Sequence, residues 1–240
     1  MKKRLTLLIL IIVFIISGVI FFNLETTTRV GVDFKVQIIK IPLYLKILNF
    51  YDRHFNYQWM TGRIIEGLDN DEDKVIRLLN WTIDHIKQQP ESSPVMDEHV
   101  WSVIVRGYGV DDNFNDVFTT LCNYADVDAY FIYIKNKKSV PNRSISLVRI
   151  KGKWTVFDPY NGVYFRNSSG SIASIQDMKA GNMTIIRLLE NYRIETDYLT
   201  LPELLPDAVE LKLTRANAQS PVNRVLLQIE RMWNRRILIE

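Results

Sequence analysis

The chain is poor in the side chains that build disulfides, metal sites and general bases. Among its 240 residues there is one cysteine, Cys122. A single cysteine makes neither an internal disulfide nor a cysteine-rich zinc site. The three histidines, His54, His85 and His99, are scattered, without HExxH-type ligand spacing, and none follows His99. Asp97, Glu98 and His99 adjoin one another, but three neighbours on a loop make a weak ligand set, so no metal is expected. The formal net charge is +3. No concentrated basic run, nucleic-acid-reading motif or internal repeat accompanies it, so no nucleic acid is expected as a partner. The Asp69-x-Asp71-x-Asp73 spacing is not a calcium loop. Its sixth position is Lys74 where glycine is needed, and its twelfth is Asn80 where glutamate is needed.

What is present begins at the N-terminus. Met1-Lys-Lys-Arg4 precedes Leu5 to Phe22, an uncharged apolar run of 18 residues. At about 1.5 Å per residue this just crosses a hydrocarbon core of roughly 30 Å. A cleaved signal peptide is the alternative, but the run exceeds the usual signal core and no Ala-x-Ala-type site follows. The reading is a signal-anchor in 1–22, single-pass in the lipid bilayer. Lys2, Lys3 and Arg4 hold the N-terminus in the cytoplasm by the positive-inside rule, and the main domain is then extracytoplasmic. Residues 23–40 read as a stalk, in which Thr26-Thr27-Thr28 and Gly31 interrupt any helix.

From Ile41 to Leu68 the pattern is helical and rich in aromatics. Packing on the domain is one reading of this segment; for Leu43 to Phe50, a membrane-surface role is another. Asn70 is placed to cap a helix carrying Asp71, Glu72 and Asp73 in its first turn and Val75, Leu78, Leu79 and Ile86 at helical spacing. Gly107-Tyr108-Gly109 reads as a turn leading into a helix from Asp111 to Tyr124. Phe114, Val117, Phe118, Leu121 and Cys122 share its inward face, so Cys122 is expected to be buried and inert. Strand-like runs follow at Val127 to Ile134, Ser144 to Lys151 and Lys153 to Phe157, the last two joined through Gly152. Residues 161–181 read as surface loop. Residues 194–240 read as an irregular tail and then a C-terminal amphipathic helix opening at Ser220-Pro221. That helix has its own domain, a partner protein or an anionic lipid surface as candidate docking sites.

Two stretches carry a resemblance. The first is Arg106-Gly-Tyr-Gly-Val-Asp-Asp-Asn-Phe-Asn-Asp-Val-Phe-Thr-Thr-Leu121, followed by Ala125-Asp-Val-Asp-Ala129. The second is Arg143-Ser-Ile-Ser-Leu-Val-Arg-Ile-Lys-Gly-Lys-Trp-Thr-Val-Phe-Asp-Pro159. In this order they resemble the transglutaminase-like, papain-like cysteine-enzyme superfamily over roughly residues 70–165. That family shows Gly-x-Cys at a helix start, then a histidine, a strand, a glycine turn, a tryptophan and Asp-Pro. The resemblance implies an α+β fold over 41–193, with helices packed on a small antiparallel sheet behind the N-terminal membrane helix. It places the family's cysteine at Asp111, its histidine at Arg143 and its aspartate at Asp158.

A guanidinium stays protonated and cannot act as a base, so the catalytic set is not intact: the resemblance leaves two of its three members, at Asp111 and Arg143, replaced. The expectation is a pseudoenzyme. Asp111 also reads as an ordinary first-turn acid of its helix. The sharper reading keeps the minus–plus–minus alternation of the family's site in Asp111, Arg143 and Asp158, and predicts Arg143 within reach of both acids. Trp101, Asp112 and Trp154 are candidates for lining the old cleft, with core packing the alternative for Trp101. No cofactor is implied. The function read from this is a membrane-tethered binding or assembly module of the cell envelope, holding a glycan, a peptide or a protein partner. The alternative is a hydrolase or acyl transferase using Asp111, Ser144 or Ser146 as nucleophile.

Overall fold

The computed structural model describes residues 2–30, 37–90, 99–134, 143–194 and 196–207, with 211, 213, 216, 223 and 226. The chain forms two compact units, Met1–Asn56 with Pro94–His99, and Tyr57–Ser93 with Val100–Glu240.

In the first unit, α1 (Lys2–Phe22) opens on Lys2, Lys3 and Arg4 and carries no charge from Leu5 onward. Its Lys3–Phe22 stretch of 20 residues is long and apolar enough to cross a membrane. The residues read as a stalk form an antiparallel hairpin of β1 (Glu25–Val30) and β2 (Gln37–Pro42), with Glu25 opposite Pro42 and Thr27 opposite Lys40. The threonines that interrupt a helix supply β-branched strand residues instead. α2 (Leu43–Ile64) starts at the end of the hairpin and runs into the second unit.

The second unit is built from α3 (Asp71–His85), β3 (Lys87–Gln88), α4 (Val100–Arg106), β4 (Tyr108–Gly109) and α5 (Asp111–Tyr124), followed by the strands β5 (Ala129–Ile134), β6 (Arg143–Ile150), β7 (Lys153–Asp158), β8 (Val163–Arg166) and β9 (Thr184–Arg187). The short helices α6 (Ile175–Lys179) and α7 (Leu201–Leu204) complete it. β5 to β9 make one five-stranded antiparallel sheet in sequence order. The β6–β7 turn has positive φ at Lys151 (50°) and Gly152 (79°), the pair of left-handed residues that a two-residue hairpin matching strand twist requires. Asn70 caps α3, accepting the Glu72 N–H at 3.1 Å. Tyr108–Gly109, read as a turn, also pairs in parallel with Lys87–Gln88.

Strand alternation divides the core into two layers. Val148, Ile150, Phe157 and Tyr164 face α3 and α5, packing on Leu78, Leu79, Phe114, Phe118 and Leu121. Leu147, Trp154, Val156, Val163 and Phe165 face the other way, onto Ile175, Met178, Tyr198, Leu201 and Leu205. This second layer corrects two sequence expectations. Residues 161–181 are not surface loop: they hold β8 and α6, with Phe165, Ala173 and Ile175 fully buried. The boundary at 193 also moves, because Tyr198, Leu201, Leu205, Leu211 and Ala216 are buried parts of the same core. Polar and small residues masked both segments, whose apolar positions are too few and too irregularly spaced to show a period. The expected C-terminal amphipathic helix, apart from the helical Asn223 and Leu226, lies outside the described residues.

Candidate functional site

The site is assembled where α5 begins against the start of β6 and the end of β7. Gly109 sets the approach. A Cβ at this position would sit 2.7 Å from the Asn113 Cβ, so only glycine lets the chain fold this tightly into the helix. Asn113 Oδ1 accepts the Val110 N–H at 3.1 Å. Val110 is the N-cap residue and has no side-chain acceptor, so Asn113 supplies the reciprocal half of a capping box.

Asp111 is the first helical residue. Its carboxylate crosses to β6, where Oδ2 accepts the Ser144 N–H at 2.8 Å, and Oδ1 accepts from Asn115 Nδ2 at 3.3 Å. Burial pushes this carboxyl up to about 6; the neighbouring Asp158 and Asp112 charges add to the rise, and the Ser144 N–H and Arg143 oppose it. Asn115, fully buried one turn on, ties the same two elements together. Its Nδ2 donates to the Ser144 carbonyl (3.3 Å) and the Asp111 carbonyl (2.9 Å), and its Oδ1 accepts from Ser146 Oγ (2.7 Å).

Arg143 and Asp158 form a buried ion pair, Nη2 to Oδ2 at 2.9 Å, with side chains 8% and 1% exposed. Asp158 is saturated by two further donors, the Tyr198 hydroxyl on Oδ2 at 2.6 Å and the Asn161 N–H on Oδ1 at 3.0 Å. Burial and the adjoining carboxylate hold the Tyr198 phenol well above its ordinary range, which keeps it protonated and donating. Asn161 binds the returning segment: Nδ2 donates to the Ile194 carbonyl (2.7 Å), Thr196 Oγ1 (3.1 Å) and Tyr198 Oη (2.9 Å), while Oδ1 accepts the Arg193 and Ile194 N–H groups. Arg193 in turn lies 4.5 Å over the Phe114 ring and donates to the Tyr160 carbonyl at 2.7 Å. Arg143 is less well served than its partner. Its Nε and Nη1 are buried without a hydrogen-bond partner.

The structure therefore brings Asp111, Arg143 and Asp158 to one place. The expected direct contact between Arg143 and Asp111 is not among the hydrogen bonds formed; Asp111 is taken by the backbone of the next residue, Ser144. Trp154 is corrected from cleft to core. It is buried in the second layer, edge-on to Tyr130 at 5.2 Å, because its strand position points away from α5. Trp101 packs edge-on to Tyr57 at 5.6 Å against the first core layer. Asp112 Oδ2 accepts from Tyr133 Oη at 3.4 Å near the surface. Cys122 is fully buried in the core, which pushes its thiol up and keeps it protonated. His99 is exposed, and its sequence neighbours Asp97 and Glu98 lie outside the described residues. Among the described residues no cluster of ligating side chains could hold a metal ion.

Sequence reasoning missed Asn115, Asn161 and Tyr198. Asn115 was discoverable, since Asp111, Asn115 and Thr119 form a polar row at four-residue steps beside the apolar face. Tyr198 follows Asp158 by 40 residues and carries no local signal.

The arrangement is an acid at the start of a buried helix beside a buried charged pair at the ends of two antiparallel strands. A family model described as the transglutaminase-like superfamily matches residues 58–159, and these residues form a transglutaminase-like domain. Among solved structures, a candidate cysteine protease from Cytophaga hutchinsonii is 15% identical with a TM-score of 0.40, over 60% of this chain and 55% of that one. A protein described as a TGase is also 15% identical, TM-score 0.37, over 56% of this chain and 43% of that one. A candidate protease from Parabacteroides distasonis is 10% identical, TM-score 0.37, over 70% and 39% respectively. The chain thus spans about half or less of the length of these structures. No curated protein matches the sequence.

Proposed function

We infer that this is a membrane-tethered, non-catalytic transglutaminase-like protein, acting as a binding or assembly module in the cell envelope. The observation that carries the reading is the buried Arg143–Asp158 pair at 2.9 Å, where the family resemblance places a histidine and its orienting aspartate. An imidazole can take and return a proton; a guanidinium cannot. The acid at Asp111 stands at the nucleophile's place with its oxygens held by Ser144 and Asn115. Such a site keeps its framework and has no group to relay a proton.

Binding is supported by two nitrogens of Arg143, Nε and Nη1, left without hydrogen-bond partners. A buried donor without an acceptor costs about 1–3 kcal/mol. An oxygen-rich ligand, a peptide carboxylate or an acidic glycan, would relieve that cost if it reached the site. α1 supplies the tether, with its basic N-terminal residues favouring a cytoplasmic N-terminus and an extracytoplasmic domain.

The test is a thermal-shift screen of acidic oligosaccharides and peptides against the detergent-solubilised full chain, repeated with Arg143→Lys. Stabilisation of the natural chain that is lost in the variant is expected. Equal stabilisation of both would remove Arg143 from the binding site.

A further inference from the structure

The hairpin at the end of α1 places α2 in a particular spot. α1 ends at Phe22, and β1 leaves it at Glu25. The ladder pairs Glu25 with Pro42, and the Leu43 N–H donates to the Leu24 carbonyl at 2.9 Å. The chain therefore goes out along β1, comes back along β2, and starts α2 beside the point where α1 stopped. With α1 in the bilayer, which is the anchor reading above and on which this inference rests, that point is the boundary between membrane and water.

α2 carries an apolar row that stands exposed among the described residues. Tyr44, Leu48, Tyr51 and Phe55 recur at steps of four, three and four residues, and so share one face of the helix. They are 42%, 58%, 53% and 61% exposed. Trp59, exposed as well, continues the row by one turn. The side chains that α2 buries, Tyr57 and Thr61, point elsewhere, and Lys46 reaches back to the Thr27 carbonyl at 2.8 Å. Scattered exposed apolar residues need no explanation; a continuous row of this length does.

The row's make-up decides between occupants. Tyrosine and tryptophan have an apolar ring and a polar tip, which suits the headgroup level of a bilayer, and leucine and phenylalanine suit the acyl boundary just below. A second copy of the chain, paired along α2, is the rival occupant. Continuing the four–three alternation puts Gln58 and then Gly62 at the next seam positions. The apolar seam then stops after about two heptads, short of the three to four that a coiled coil needs. We propose that α2 is an interfacial helix, lying on the bilayer surface at which α1 ends, with Tyr44, Leu48, Tyr51 and Phe55 in the headgroup–acyl boundary.

The lone, fully buried Cys122 makes a direct test simple, since the natural chain serves as the labelling blank. Single cysteines are placed in the full chain by Val13→Cys in α1, by Leu48→Cys, Tyr51→Cys and Phe55→Cys on the row, and by Asn49→Cys and Arg53→Cys off it. Each variant is labelled with an environment-sensitive fluorophore and reconstituted in phosphatidylcholine vesicles. Quenching by nitroxide-bearing lipids is compared with quenching by aqueous iodide. The proposal expects lipid quenching at 13, 48, 51 and 55 and iodide quenching at 49 and 53. Lipid quenching at 13 with iodide quenching at all five α2 positions would overturn the inference and leave the anchor standing. Iodide quenching at 13 as well would overturn both. Disulfide-linked dimers through Phe55→Cys, with the row shielded from both quenchers, would assign the face to a second copy and overturn the proposal.

Discussion

Asp111 is where the chemistry of single residues can be read most plainly. Its carboxyl is raised from 3.8 to about 6, chiefly by burial. The folded state therefore holds the proton more tightly than the unfolded chain does. The stability this contributes is complete below pH about 3.8 and is lost as the pH rises through about 6; the displacement corresponds to on the order of 2–3 kcal/mol. Asp111→Asn keeps an acceptor for the Ser144 N–H and cannot ionise. Denaturant melts between pH 4 and 7.5 should show the natural chain losing stability across that range and the variant losing much less. Parallel slopes would mean that Asp111 titrates normally. The ion pair makes a second residue-scale prediction. Arg143→Ala strands a saturated, buried Asp158 and should cost about 3–5 kcal/mol. Arg149→Ala on the same strand removes a pair with Asp128 at 3.7 Å that is more than a third exposed on both sides, and should cost no more than about 1 kcal/mol. Comparable losses for the two variants would mean that the buried pair is not a unit.

At the scale of elements, the helix Asp111 to Tyr124 and the three strands after it were legible in the sequence because each carries its own period and its own stop signal. Gly152 marked one hairpin, and Phe114, Phe118 and Leu121 marked one buried face. Asp111, Arg143 and Asp158 could be named together from the sequence because Gly109, Trp154 and Asp158 follow the spacing on which the resemblance rests, and the structure brings the three side chains to one place. What stayed hidden was the support beneath them. Asn161 and Tyr198 meet Asp158 through a turn and a returning segment, and pairings across 37 and 40 residues leave no local pattern. The segment after 193 looked irregular because its order comes from side-chain bonds to Asn161 and from Tyr198, Leu201 and Leu205 in the second core layer. Ending the chain after Arg193 should therefore abolish cooperative unfolding, followed by near-ultraviolet circular dichroism and calorimetry. A truncated chain that still melts in one sharp transition would show that the segment is dispensable.

Taken whole, the molecule joins an apolar helix long enough to span a bilayer to a transglutaminase-like domain in residues 58–159. The anchor reading predicts that the full chain sediments with membranes, resists carbonate extraction and retains Met1 to Phe22 by N-terminal mass analysis. A shortened, freely soluble main species would make α1 a cleaved leader. The central claim is that the scaffold has kept its charge geometry and has no proton relay. It is tested most directly by incubating the purified full chain with glutamine-containing peptides and a primary amine, while following ammonia release and the intact mass of the protein. The account predicts no ammonia above the buffer control and no covalent mass increase. Steady ammonia release that Asp111→Asn or Arg143→Lys abolishes would contradict it, and would make Asp111 a working nucleophile.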